Sequence, residues 1–127
     1  MRDFTKVGPL MWHSPGFLDL PSDTERYLYF YLMTNTHLDS TGCYRLPDAY
    51  ACSDLRWSPE QYLKIRSNLV EAGMIAFDAG NSLVMVIDWF TFNPPMNSKH
   101  LAGTIKIARK IPCLAFQEAV LEALWNT

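Results

Sequence analysis

The feature that most narrows what this chain can fold into is a change of hydrophobic period at Gly73. Before it, Ser58-Pro59-Glu60-Gln61 combines an N-cap, a proline at the first helical position and a glutamine three residues after the cap. Gly73 stands where a helix ends in a left-handed residue, so the signals predict a helix over 58–73. After Gly73 the pattern becomes extended: residues 74–78, turn chemistry at Ala79-Gly80-Asn81-Ser82, then an apolar run over 83–90. That is a β-hairpin with a short tip. A well-capped helix running directly into a hairpin implies a small α+β fold rather than a bundle or a sandwich.

The upstream elements complete the order. Ser22-Asp23-Thr24-Glu25 is a capping box, and the helix it starts is apolar or aromatic nearly all round over 26–34, which predicts packing on more than one side. Asp39-Ser40-Thr41-Gly42 is turn chemistry ahead of a short strand, Cys43-Tyr44-Arg45-Leu46, and Pro47 opens a second helix over 48–55. Downstream, Asn93-Pro94-Pro95 stops the hairpin's second strand, Asn97-Ser98 caps a fourth helix over 97–110, and Ile111-Pro112 separates it from a fifth over 113–125. Helix, strand, helix, helix, hairpin is the order of a winged helix-turn-helix, with the hairpin as the wing. At 127 residues, 49% of them hydrophobic, one domain with its own core is expected. We assign residues 1–96 to the winged helix and 97–127 to a C-terminal helical extension, packed on that domain or continuing it.

Charge is unevenly spread. Residues 1–88 hold seven Lys/Arg against eleven Asp/Glu, whereas residues 89–117 hold Lys99, Lys106, Arg109 and Lys110 and no acid. Concentration matters more than the net charge of −2 for a phosphate-binding surface. On a helical wheel Lys99, Lys106 and Lys110 fall within about 40° of one another, Arg109 flanks them, and Leu101, Ile105 and Ala108 lie opposite. This basic stripe either contacts phosphates or is an ordinary solvated face. In the third helix Tyr62, Ile65, Leu69 and Ala72 share one side, and Glu60, Gln61, Lys64, Ser67, Asn68 and Glu71 fill a sector of about 120° opposite. Gln61, Lys64 and Asn68 have the groups to read base edges, but two carboxylates against one lysine equally describe a solvated face. Arg66 falls on the core side, over apolar neighbours or paired with an acid. Trp12, Trp57, Trp89 and Trp125 are candidates for base stacking, although core or interface packing suits Trp89 and Trp125 better.

Other classes find little support. The longest apolar run is far below the roughly 20 residues that span a bilayer, and no secretory pattern opens the chain, so a cytoplasmic location is expected. Cys43, Cys52 and Cys113 lack zinc spacing and read as reduced residues; no metal or other cofactor is expected. There is no GxSxG, GxxxxGK[ST] or HExxH, so catalysis is not expected.

The residues from Trp12 through Leu20, Arg26-Tyr27-Leu28-Tyr29, Gly42-Cys43-Tyr44-Arg45-Leu46, Ser58 to Ile75, Val86-Ile87-Asp88-Trp89, Asn93-Pro94-Pro95 and the Ile111-Pro112 break resemble the N-terminal domain of phage replication proteins, or replisome organisers. That domain is similar to the winged-helix domain of DnaD-type primosome proteins. The resemblance implies DNA binding or oligomerisation within a replication-initiation complex, with a helicase or helicase loader as protein partner. Two alternatives stay open: a protein-interaction module without direct DNA contact, and a winged-helix transcription regulator. The aromatic first helix and apolar fifth helix further suggest a homo-oligomer, with Tyr29, Tyr31, Phe116 and Leu124 at its interface.

Overall fold

A computed structural model of the chain describes residues 3–127; residues 1 and 2 of the 1–96 segment lie outside that description. The fold is mixed α+β, with helices around a three-stranded antiparallel sheet. Two short turns open it, a 3-10 turn at Pro9–His13 and α1 at Pro15–Leu18, each with proline in its first turn. Neither stands out by periodicity, because four or five residues hold too little of a 3.6-residue repeat. They send Met11, Phe17 and Leu20 into the core, and Phe17 meets Phe30 edge-on at 5.4 Å.

α2 (Asp23–Thr34) starts at Ser22, whose Oγ accepts from the Thr24 N–H at 3.3 Å. β1 (Cys43–Arg45) leads to α3 (Asp48–Leu55) and α4 (Pro59–Glu71). α4 ends as a helix ending in left-handed glycine should. Gly73, at φ 75°, donates to the Val70 carbonyl at 3.0 Å, and the Met74 N–H donates to that of Leu69 at 3.1 Å. β2 (Ile75–Asp78) and β3 (Leu83–Val86) form the hairpin, and β3 lies centrally, with Cys43 opposite Met85 on one side and Ile75 opposite Val86 on the other.

The second hairpin strand is shorter than the sequence predicts. It stops at Val86, and Trp89–Phe92 forms a helical turn, α5. The cause is a shortage of partners: β1 begins only after Gly42 and β2 only after Gly73, both left-handed, so nothing flanks β3 beyond Ile87. The backbone then satisfies itself locally, Thr91 N–H to Asp88 carbonyl at 3.1 Å and Asn93 N–H to Trp89 carbonyl at 2.8 Å.

α6 (Ser98–Ala108), α7 (Leu114–Trp125) and the connection between them bury Ala108, Ile111, Val120 and Leu124 in the same core as the sheet and α2. Thr104 on α6 also hydrogen-bonds Ser40 at 3.0 Å. α6 is two residues shorter than expected; Arg109 and Lys110 continue it only as a turn. No helix among the described residues is long and apolar enough to cross a membrane.

The connection between α3 and α4 carries local strain. Arg56 sits at φ 58°, ψ 39°, a conformation that disfavours residues with a Cβ by roughly 1–2 kcal/mol. Arg56→Gly is therefore expected to raise stability by roughly 0.5–1 kcal/mol, after allowing for glycine's greater freedom in the unfolded chain. Urea denaturation checks this, and a destabilised variant would show that the Arg56 side chain contributes more than the strain removes.

Candidate nucleic-acid interface

α4 presents two different faces. Ser58 Oγ accepts from the Gln61 N–H at 3.2 Å and fixes the first turn. Gln61 and Lys64 then stand exposed, with Gln61 beside Thr24 and the tilted ring pair of Tyr27 and Trp57, whose centroids are 6.0 Å apart. Asn68 does not share that freedom. It is half-buried against α2, and its Nδ2 donates to Glu25 Oε1 at 2.9 Å, so its amide is committed inside the protein rather than held out for a base. Wheel geometry placed Asn68 at the margin of the polar sector; the position of α2 turned that margin inward.

Glu25 is the centre of this junction. It is 3% exposed, accepts from the Ser22 hydroxyl as well as Asn68, and closes the capping box through the Ser22 backbone. The Ser22 hydroxyl lowers its pKa most, burial opposes that, and Asn68 lowers it further, so the carboxyl lies below its ordinary value. A depressed folded-state pKa stabilises the fold above the unfolded value, about 4.3, and that contribution disappears as pH falls through the folded value. Glu25→Gln should cost about 1–3 kcal/mol at neutral pH and flatten the loss of stability on acidification. Thermal melts of both proteins between pH 7 and 3 check it; parallel curves would place the acid sensitivity elsewhere.

Arg66 behaves as its core-side position predicts. It pairs with Asp48 at 2.6 Å, and its guanidinium lies 3.5 Å from the centroid of the Phe77 ring. Leu63 and Val70, by contrast, remain exposed on α4. The hairpin tip carries Asp78, which accepts from the Gly80 N–H and from Asn81 Nδ2, and has no Lys or Arg of its own.

α6 offers the more open charge. Lys99, Lys106, Arg109 and Lys110 are all exposed, and none takes part in an ion pair among the described residues. Their seat is apolar: Ala108 is buried, and Leu101 and Ile105 pack against the core. α4 rests on α2, α3 and β2, whereas α6 rests on α7 and the Ser40 turn. The structure therefore carries the two predicted groups on separate supports.

The residues expected at an oligomer interface are mostly interior. Tyr29 and Leu124 are buried; burial raises the Tyr29 phenol's pKa most, and the charge of Asp88 adds to it. Tyr31 is half-buried with its hydroxyl on Asp54, and Phe116 packs against the core. Of the four, Tyr29 and Leu124 thus lie inside the core, whereas Tyr31 and Phe116 are only partly covered. Trp89 is interior, its indole N–H on the Ser40 carbonyl at 2.9 Å, but Trp125 is 89% exposed at the last turn of α7, which removes the core half of its core-or-interface expectation. Leu124 takes the inward direction there, and the next residue is turned about 100° away.

Sequence reasoning overlooked Asn93, at the end of α5, and His100, in the first turn of α6. Asn93 reads as a strand stop beside Pro94-Pro95, and His100 is a lone histidine; neither signal exposes a role before the elements are assembled. No protein-family model matches this chain, nor does any curated protein or solved structure.

Proposed function

We propose that the chain is a DNA-associated winged-helix module of the phage replication-protein kind, holding the nucleic-acid backbone through α6. What supports the fold reading is the order α2, β1, α3, α4, β2, β3 with the strands arranged β1-β3-β2, which is compatible with a winged helix in which α4 is the recognition helix and the hairpin the wing. The observation that carries the binding reading is the set of four exposed, unpaired cations on and after α6, within a stretch, residues 89–117, that has no carboxylate. Such a surface neutralises phosphates and supplies affinity with little sequence preference. No catalytic step belongs to this reading; a helicase or helicase loader is the replication partner it proposes.

Titration of the purified chain with DNA across a salt series tests it. Four phosphate contacts on duplex would give log K falling against log salt with a slope of about −3.6. A specific observation favours a second reading, a protein-interaction module: Leu63 and Val70 are exposed on α4 and the hairpin tip is acidic, features that suit a protein partner better than a major groove. Absence of DNA binding even at low salt would leave that reading in place of the first.

A further inference from the structure

Beside the basic stripe lies an apolar cleft of about 500 Å³, between the N-terminal segment, α5 and the start of α6. Its walls include Phe4, Phe92 and Met96, with Phe4 72% and Met96 71% exposed at the mouth. Besides Trp89, whose indole N–H is held on the Ser40 carbonyl, three side chains with N–H donors line it: Lys6, Asn93 and His100. His100 Nδ1 accepts from the Met96 N–H at 3.0 Å, which in the neutral ring leaves the proton on Nε2 as a donor. Asn93 Nδ2 is buried with no hydrogen-bond partner among the described residues, an uncommon and costly state for an amide. Among the described residues, no Asp or Glu lines the cleft. A second, shallower cleft of about 440 Å³ shares Ser40 and His100 with it and continues past Lys99 along α6, again without a carboxylate.

We infer that this cleft takes an unpaired nucleobase of single-stranded DNA while the adjoining phosphates lie over Lys99 and the α6 stripe. The inference deepens the proposed function and rests on its claim that α6 binds phosphates. A base has flat apolar faces, which suit aromatic and thioether walls, and an edge rich in carbonyl and ring-nitrogen acceptors, which suits a cleft whose charged and amide groups donate. A base inside a duplex is stacked and paired, so only an unpaired one can enter without the cost of flipping. Charge complementarity selects a polyanion over a neutral or basic peptide, and the aromatic and thioether walls suit the flat face of a base rather than a carboxylate side chain.

The test compares, on the full chain, oligo-dT with an abasic oligonucleotide of the same length and phosphate count. Stacking one base is expected to favour oligo-dT by about 5- to 150-fold. The double variant Phe4→Ala, Met96→Ala alters only exposed mouth residues and should remove most of that preference while leaving abasic binding unchanged. Equal affinity for the two oligonucleotides would overturn the inference and leave the phosphate reading standing. Failure of both to bind at low salt would overturn the two together. A double variant that keeps its full preference for oligo-dT would also overturn it, because the base would then be recognised elsewhere.

Discussion

Gly42→Ala is expected to cost about 2–5 kcal/mol, a large share of the roughly 5–15 kcal/mol that holds a typical domain together. Gly42 lies at φ 70° in the turn before β1, and a Cβ there would stand 2.3 Å from Trp89 Cγ and 2.6 Å from its Cβ. Trp89 has no room to retreat. It is fully buried, and its indole N–H is held on the Ser40 carbonyl two residues before Gly42. The variant therefore combines the left-handed backbone penalty, roughly 1–2 kcal/mol, with overpacking of a core ring, typically 1–3 kcal/mol. Gly73→Ala separates the two contributions, because Gly73 has a similar φ of 75° and nothing within 4 Å of its virtual Cβ. It should lose only about 1 kcal/mol. Guanidinium denaturation of both variants decides the matter; equal losses would mean that Trp89 does not constrain the turn.

Lys106→Glu with Lys110→Glu should have the largest effect on binding. Each lysine is exposed and without an ion-pair partner among the described residues, so neither substitution breaks an internal contact of that kind. Losing two charge-assisted phosphate contacts and placing two carboxylates on the path of the backbone should weaken DNA binding on the order of tenfold to a hundredfold at low salt. The salt dependence should flatten as well, by about 0.9 in slope for each lost duplex contact or 0.7 for a single strand. The loss should be similar for unrelated sequences, since phosphates carry no sequence information. Gln61→Ala supplies the contrast: if it lowers discrimination between sites while overall affinity stays, α4 also contributes, by about 1–3 kcal/mol per base contact. Circular dichroism must show every variant folded. A charge-reversed protein that binds as tightly as the parent, with the same salt slope, would remove α6 from the interface.

Much of the architecture is local in origin and hence legible in the chain. Ser22, Ser58 and Asn97 each use a side-chain oxygen to cap a helix one residue later, and Gly73 ends α4 with a left-handed turn; these depend on residues within five positions. The hairpin follows from turn chemistry between two apolar runs, and the charge difference between residues 1–88 and 89–117 is a property of composition alone. What required the tertiary structure was the direction each side chain faces once a second element arrives. Periodicity put Asn68 in a polar sector, but α2 brought Glu25 to it. It described Tyr29 as one of many apolar residues on an all-round helix, and only the surrounding elements decided that it is interior. β3 stopped at Val86 because its neighbours begin at Cys43 and Ile75, a pairing limit that no single strand contains. The cleft bounded by Phe4, Asn93 and His100 joins residues almost a hundred positions apart, and its chemistry exists only where the chain ends, turns and helix starts meet. Caps, turns and charge runs are set by neighbours along the chain, whereas burial, strand length and clefts are set by neighbours across it.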